Sequence, residues 1–155
     1  MEVELSIKAK FVHTNLIAED WKKLAHFYGE VFGCRFVPPE RDFKGKNIES
    51  GTGIKNVHLQ GVHLQLPGYR ENGPTLEIFS YSPQAEKQQK VINRPGYGHI
   101  AFQVDNVEKA KEVILNNGGR EIGEIVTLQV GSDSKVTWCY VTDPEGNVIE
   151  LQSWS

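Results

Sequence analysis

The sequence predicts an α+β protein built from two copies of one βαβββ module. The first observation is a repeat without gaps. GPTLEIFSY, residues 73–81, aligns with GNVIELQSW, residues 146–154, and each copy places an aliphatic–Glu–aliphatic triplet after a turn glycine. The second observation is spacing, because His13 and His99 each precede a glycine by 20 residues. Repeats of this kind indicate that each half of the chain forms the same supersecondary unit.

Composition places the chain among ordinary globular proteins. It has 155 residues, of which 39% are hydrophobic and 24% charged, and a formal net charge of −3, which suits one domain with a shared core. Scattered lysines and arginines argue against nucleic-acid binding, and no apolar run approaches the roughly 20 residues of a membrane span. The N-terminus lacks the basic-then-apolar order of a signal peptide. We interpret Cys34 and Cys139 as reduced packing residues of a cytoplasmic protein.

The first module is predicted over residues 11–81 and begins with a strand over residues 11–16. Asp20 is positioned to cap a helix that ends near residue 32, where Gly33 suits the stop. A short strand over residues 34–37 follows. Apolar residues at helical spacing predict the core-facing stripe of the helix, namely Trp21, Leu24, Ala25, Tyr28, Val31 and Phe32.

Residues 38–56 interrupt this pattern with Pro, Gly and charged residues in no clean period. A segment of this length inside a compact domain predicts a loop that is either disordered or has a role such as a lid. Two further strands are predicted over residues 57–66 and 75–81, where alternation places the aliphatic side chains on one face. The polar, proline-bounded residues 82–96 then read as the linker between the modules.

The second module, residues 97–154, is predicted in the same order. A strand over residues 97–104 leads to a helix that is capped by Asp105 or Asn106 and stopped near residue 117 by a Gly-Gly pair. The turn DPEG, residues 143–146, has Pro at its second position and Gly at its end, as a tight turn requires. The remaining strands are predicted over residues 121–130, 135–142 and 148–154.

Strand periodicity also places four side chains that suit a metal ion. His13 and His99 open the modules, Glu77 and Glu150 close them, and each lies on the strand face opposite its aliphatic neighbours. If the aliphatic faces pack on helices, pseudo-twofold pairing of the modules brings these four residues into one cleft. Two imidazoles and two carboxylates suit one divalent ion of Ni, Co, Zn, Fe or Mn. A six-coordinate ion would keep two positions for water or substrate.

The chain resembles the vicinal oxygen chelate superfamily, also named after glyoxalase, bleomycin resistance proteins and dioxygenases. The resemblance covers residues 11–154 and rests on FVHTNL with the helix LAHFYGEVFG, then GPTLEIF, GYGHIAFQVDN and DPEGNVIEL. It implies that residues 1–155 form one domain, whose paired βαβββ modules make a cupped mixed sheet around a metal ion. His13, Glu77, His99 and Glu150 match the ligand positions. The resemblance also implies a small-molecule substrate and a homodimer, with the modules pairing within one chain or across two.

The His/Glu/His/Glu set looks most like bacterial-type glyoxalase I. Methylmalonyl-CoA epimerase is similar but usually has Gln at the Glu77 position. The resemblance implies a lyase or isomerase whose substrate chelates the ion through two adjacent oxygens. The ion would act as a Lewis acid on the anion formed when the neighbouring C–H loses its proton, and Glu77 or Glu150 would be the base.

Two departures and two alternatives accompany this interpretation. Bacterial glyoxalase I has an Arg and an Asn that help hold glutathione where this chain has Ile17 and Tyr81, and these two differences argue against glutathione dependence. One alternative is an Fe(II)-dependent ring-cleaving dioxygenase with a facial triad, against which a fourth ligand at Glu77 argues. The other is a sequestering protein of the bleomycin-resistance type, which commonly lacks the ligand set that this chain keeps.

The strand faces opposite the aliphatic side chains are called the open faces here. Their other polar and aromatic residues are predicted to form the substrate pocket. His63 is the most interesting of them, because its imidazole offers a second acid–base group. The predicted pocket residues are Asn15, His63, Gln65, Phe79, Tyr81, Gln103, Trp138, Tyr140, Gln152 and Trp154.

Overall fold

In the computed structural model, which describes residues 7–155, the chain forms eight strands and three helices. The first half contains β1 (His13–Ile17), α1 (Trp21–Phe32), β2 (Arg35–Lys44), α2 (Lys46–Thr52), β3 (His58–Gln65) and β4 (Thr75–Ser82). The second half contains β5 (Ile100–Gln103), α3 (Val107–Asn116), β6 (Arg120–Val130), β7 (Ser134–Thr142) and β8 (Val148–Trp154).

The strands form two four-stranded mixed sheets with the same internal order. The first sheet has the order β1-β4-β3-β2 and the second has the order β5-β8-β7-β6. In each sheet the first strand pairs in parallel with the last strand of its half, and the other pairs are antiparallel. The predicted α+β architecture of repeated βαβββ units is therefore confirmed.

The helix boundaries follow from the capping residues that the sequence shows. The side chain of Asp20 accepts a hydrogen bond from the backbone N–H of Lys23, and Gly33 ends α1 in the left-handed conformation with φ of 69°. In the second module Asn106, one of the two predicted caps, accepts from the backbone N–H of Lys109. These caps satisfy backbone groups that have no partner inside a helix.

The prediction that residues 38–56 form a loop was wrong. β2 continues through this segment to Lys44, and α2 follows it directly. The pairing of β2 with β3 shifts register between Val37 and Arg41. This irregularity accommodates Pro38 and Pro39, which have no backbone N–H to donate to a sheet hydrogen bond. The sequence did not predict this strand because prolines and charged residues lower strand propensity locally. The strand forms because it pairs with β3.

The core lies between the helices and the aliphatic faces of the sheets, as predicted. α1 packs on β3 and β4, and α3 packs on β6, β7 and β8. Leu76 and Ile78 on β4 and their repeat mates Ile149 and Leu151 on β8 are completely buried. The aliphatic residues around each glutamate are thus committed to the core, and the glutamates are left on the opposite, open faces.

The two modules meet where α1 contacts the turn at residues 143–146. The carboxylate of Asp143 is completely buried and accepts hydrogen bonds from the Tyr28 hydroxyl at 2.9 Å and from the Asn147 amide at 2.6 Å. The carboxylate of Glu145 accepts from the backbone N–H groups of Glu19 and Asp20 at the start of α1. A turn of the second module therefore caps a helix of the first.

The two cysteines are buried and carry free thiols, and burial raises the pKa of the Cys34 thiol to about 11. Both agree with the predicted packing role. No helix in the described part of the chain combines the length and the apolar character that crossing a membrane requires.

The contact between Tyr28 and Asp143 can be tested with Tyr28→Phe. Because this change leaves a completely buried carboxylate short of one hydrogen bond, the free energy of unfolding should fall by about 1–3 kcal/mol. Urea denaturation measures the change. Tyr97→Phe is the matched control, since the Tyr97 side chain is fully exposed. An equal effect of both substitutions would show that the buried contact does not tie the modules together.

The same contact predicts a pH dependence at the alkaline end. Burial, with a contribution from Asp143, raises the pKa of Tyr28 well above its ordinary value of 10.0. The unfolded chain then loses this proton at a lower pH than the folded protein. The stability that Tyr28 contributes should be fully present below pH 10 and decline as the pH rises above it. Urea denaturation at pH 8 and above pH 10 should show the wild type losing its advantage over Tyr28→Phe, and an unchanged difference would contradict this.

Candidate metal centre

The Glu77 carboxylate lies at the centre of a polar group on the open face of the first sheet. β4 is flanked by β1 and β3, and the register places Asn15 and His63 directly beside Glu77. Atom Oε1 accepts a hydrogen bond of 2.8 Å from the Asn15 amide, and Oε2 lies 2.6 Å from Nε2 of His63. Nε2 of His13 is 3.5 Å from Oε1. Both oxygens are therefore held in place, on a side chain that is only 12% exposed.

His13, His63 and Glu77 together have the geometry of a metal site. One ligand atom from each residue lies within 4.8 Å of the others. Burial lowers the pKa of His63, and the nearby Glu77 carboxylate opposes this shift. A neutral imidazole is the form that binds a metal ion, and two imidazoles with one carboxylate suit a divalent transition metal.

The second module carries a His–Glu pair at the equivalent positions. Nε2 of His99 lies 3.2 Å from Oε2 of Glu150 on β8. The Tyr140 ring stands 5.1 Å from the His99 ring, and the Trp138 ring stands 5.1 Å from that of Tyr140. The open face of the second sheet therefore has an aromatic wall beside its His–Glu pair, whereas the first has polar neighbours.

The two His–Glu pairs belong to separate sheets. Within residues 7–155, the group of three or more metal-compatible side chains comprises His13, His63 and Glu77, without His99 or Glu150. A cleft of about 1460 Å³ is nevertheless lined by His13 and His99. Parts of β1, α2, residues 83–98 and β5 form the rest of its wall. One chain thus directs both histidines to a common cleft without bringing all four predicted ligands into contact.

The predicted pocket residues are found in several places. Asn15 and Tyr81 line the cleft. His63 contacts Glu77, and the edge of the Phe79 ring approaches His63 with the ring centres 6.0 Å apart. Each of the other six lies on the open face of its own sheet. Gln65 contacts Arg35, Trp138 contacts Tyr140, Trp154 contacts Gln152, and Gln103 pairs in register with Gln152.

Sequence reasoning missed two residues around His63. The Thr75 hydroxyl lies 3.5 Å from Nδ1 of His63, and the positive charge of Arg41 adds to the lowering of the pKa of His63. Thr75 shares the strand face of Glu77 two residues away, so alternation alone could have identified it. Arg41 could not be found in this way, because it was assigned to a loop.

A comparison with protein families gives a match over most of the chain. The model of the Glyoxalase/Bleomycin resistance protein/Dioxygenase superfamily matches residues 10–151. Among curated proteins, a lactoylglutathione lyase of Escherichia coli O157:H7 is 27% identical over 146 residues, which cover 92% of this chain and 90% of that protein. A lactoylglutathione lyase of Haemophilus influenzae is 25% identical over 143 residues, with the same coverage of 92% and 90%.

Solved structures show the same fold. A glyoxalase family protein from Bacillus cereus superposes with a TM-score of 0.73 at 18% identity, covering 99% of this chain and 98% of that one. A fosfomycin resistance protein from Listeria monocytogenes, solved with Mn(II) and a dihydroxypropylphosphonic acid, gives a TM-score of 0.54 at 17% identity, covering 95% and 93%.

Asn15 is expected to support metal binding without being a ligand. Asn15→Ala removes the amide that holds Oε1 of Glu77, and loss of such a supporting hydrogen bond commonly weakens metal affinity about 10- to 100-fold. Calorimetric titration of the metal-free protein with Co²⁺ would measure the change. Gln65→Ala is the control, because Gln65 bonds to Arg35 and Arg70 and not to Glu77. Wild-type affinity in Asn15→Ala would show that the Asn15 amide does not support metal binding through Glu77.

Proposed function

We propose that this chain, which belongs to the Glyoxalase/Bleomycin resistance protein/Dioxygenase superfamily, is a divalent-metal-dependent lyase or isomerase of the glyoxalase I and epimerase type. The reaction is a proton transfer next to a carbonyl group, on a small molecule that chelates through adjacent oxygens. The observation that carries the proposal is the pair of equivalent His–Glu contacts, His13 with Glu77 at 3.5 Å and His99 with Glu150 at 3.2 Å.

The donor set fits a divalent ion. His13, Glu77, His99 and Glu150 are the proposed ligands, and Ni, Co, Zn, Fe and Mn all accept this mixture of nitrogen and oxygen. The Mn(II) in the solved Listeria relative supports the assignment. When bound, the ion supplies Lewis-acid stabilisation of negative charge on the substrate oxygens.

The side chains of this protein would position the substrate and move the proton. Glu77 and Glu150 are the two groups able to accept a proton from the carbon beside the carbonyl, because both carboxylates lie on open faces beside the metal-binding histidines. The aromatic wall of Trp138 and Tyr140 would pack on the substrate and exclude water from the reacting atoms.

The curated relatives are lactoylglutathione lyases, but the substrate proposed here is not a glutathione adduct. Ile17 and Tyr81 occupy the positions where the resemblance would place an Arg and an Asn that hold glutathione. Ile17 is 43% exposed and offers neither charge nor a hydrogen bond. The candidate substrates are therefore α-hydroxycarbonyl compounds and acyl thioesters.

An Fe(II) oxygenase is the second candidate, and one observation favours it. His13, His63 and Glu77 make up two histidines and one carboxylate within one module, which is the composition of the oxygenase facial triad. The two functions differ in their need for a base, since an oxygenase does not require Glu150 to take a proton.

The proposed assembly is a homodimer of one-domain subunits in the cytoplasm. β1 and β5 are edge strands of their sheets. The side chains of Val12, just before β1, and of Ile17, at its end, are exposed. Such edges favour pairing with another chain. Formation of the dimer would bring the His13–Glu77 pair close to a His99–Glu150 pair of the same or of the other subunit. The free buried thiols of the two cysteines support a reducing compartment.

Deuterium exchange tests the proposed reaction. Candidate α-hydroxycarbonyl and acyl-thioester compounds are incubated with the metal-loaded protein in deuterated water, and NMR detects deuterium at the carbon next to the carbonyl. Exchange should require the metal and fall about 10²- to 10⁴-fold in Glu77→Gln or Glu150→Gln, because either change removes a base. Glu30→Gln, on the exposed side of α1, should keep wild-type exchange.

The opposite result would favour the second candidate. If no compound exchanges, while the Fe(II)-loaded protein consumes oxygen with a catechol and Glu150→Gln remains fully active, then the protein is an oxygenase and the proton-transfer proposal is wrong.

A further inference from the structure

We propose that a second cavity, distinct from the cleft that His13 and His99 line, binds a small phosphate-bearing anion. Its walls are residues 87–90, residues 120–122 at the start of β6, and three residues around the turn that precedes β8, namely Thr142, Glu145 and Gly146. Its volume of about 390 Å³ lies within the range of roughly 300–1,000 Å³ that small-molecule sites occupy. The cavity lies apart from the proposed metal ligands, so the inference goes beyond the proposed function and does not depend on it.

Three basic side chains line this cavity from two of its walls. Lys87 and Lys90 belong to the segment between the modules, and Arg120 is the first residue of β6. An arginine guanidinium donates two parallel hydrogen bonds to phosphate oxygens, while a lysine ammonium acts as a point charge. Cations on separate walls suit a tetrahedral phosphate, because its oxygens point in several directions, whereas a carboxylate offers two oxygens in one plane.

The two carboxylates in the walls are engaged elsewhere. The oxygens of Glu145 accept hydrogen bonds from the backbone N–H groups of Glu19 and Asp20. A carboxylate oxygen of Glu121 lies 2.8 Å from Nζ of Lys111, and this contact lowers the pKa of Glu121. The acidic residues of the cavity are thus committed to other partners, and they leave its basic side chains to a ligand.

The contacts that the three cations make leave most of their charge uncompensated. Nζ of Lys90 donates to Oδ1 of Asn147, which is a buried but neutral amide. Nζ of Lys87 lies 3.6 Å from a carboxylate oxygen of Glu19, and both side chains are about half exposed, so this pair contributes little. Among the hydrogen bonds and ion pairs formed by residues 7–155, the Arg120 guanidinium takes part in none.

The environment of Lys90 agrees with a missing counter-ion. Burial lowers the pKa of Lys90, the buried Asp143 carboxylate opposes this shift, and the charge of Lys87 adds to it. Two ammonium groups are therefore close enough to repel each other. An anion bound between them would replace this repulsion with two attractions and would stabilise the charged form of both lysines.

Anion binding would also tie residues 83–98 to the second module. These residues are exposed and form no helix or strand, yet they wall the cleft that His13 and His99 line. Lys87 and Lys90 line both cavities. A phosphate held jointly by Lys90 and Arg120 adds a link between this segment and β6, and it thereby orders one wall of the cleft.

Calorimetric titration of the full chain with inorganic phosphate tests the site. Arg120→Ala should weaken phosphate binding about 10- to 100-fold, because a charged donor to the anion is lost. Arg120 lines the second cavity and not the cleft. Arg70→Ala is the matched control, since Arg70 is also exposed and lines neither cavity, and it should bind phosphate like the wild type. Parallel titrations use methyl phosphate and acetate.

Two-dimensional NMR of the unaltered protein locates the bound anion. On addition of phosphate, the signals of residues 87–90 and 120–122 should shift together, while those of α2 stay unchanged. Because α2 contributes to the wall of the cleft, shifts in α2 without shifts at residues 120–122 would place the anion in the cleft and overturn the proposal.

The remaining outcomes decide between ligands. Failure of phosphate to bind at millimolar concentrations, or equal affinities of Arg120→Ala and Arg70→Ala, would show that the cavity is not an anion site. Acetate binding as tightly as phosphate would overturn the ligand class. Tighter binding of methyl phosphate than of inorganic phosphate supports a phosphomonoester as the ligand, and the reverse order supports free phosphate.

Discussion

The buried Asp143 carboxylate is the constraint on which the arrangement of the two modules depends. It is completely buried and bonded to Tyr28 on α1, and a buried carboxylate is tolerated only when it is hydrogen-bonded. Two residues later, Glu145 caps the same helix. The turn that starts β8 therefore fixes α1, and through α1 the whole first sheet, relative to the second. This explains how one chain can direct His13 and His99 to the same cleft although they lie on different sheets.

Within each sheet, the chemistry follows from which face the helices cover. Ile78 and Ile149 are drawn into the core, so the neighbouring glutamates must face the other way. Glu77 on β4 and Glu150 on β8 each lie on the second strand of their sheet. Each glutamate therefore has a parallel strand on one side and an antiparallel strand on the other. In the first module these neighbours bring Asn15 and His63 to Glu77, and in the second they bring Ala101 and Tyr140 to Glu150. The repeat is thus symmetric in fold and asymmetric in chemistry, with a polar site on one side and an aromatic wall on the other.

Local rules predicted those parts of the structure that depend on neighbours along the chain. Helix α1 ends where its caps require, at Asp20 and Gly33, and the strands around each glutamate alternate as expected. The prediction failed for residues 38–56, because the prolines suggested a loop and only pairing with β3 shows that a strand continues to Lys44. Strand formation depends on a partner that is distant in sequence, and no local pattern specifies this partner.

The sequence by itself determined the repeat, the fold class and the orientation of the candidate ligands, because alternation and capping act over a few residues. Only the tertiary structure decided which histidine stands against Glu77. His63 and His99 carry the same imidazole and both lie on open strand faces, and the repeat in the sequence singled out His99 as the ligand. The register of β3 on β4 places Nε2 of His63 2.6 Å from the carboxylate. His99 instead lies just before β5 of the other sheet, with its Nε2 3.2 Å from Glu150. The physical reason is that alternation along a strand sets the direction of a side chain. The distance between two side chains is set by strand pairing and by the packing of one module on the other.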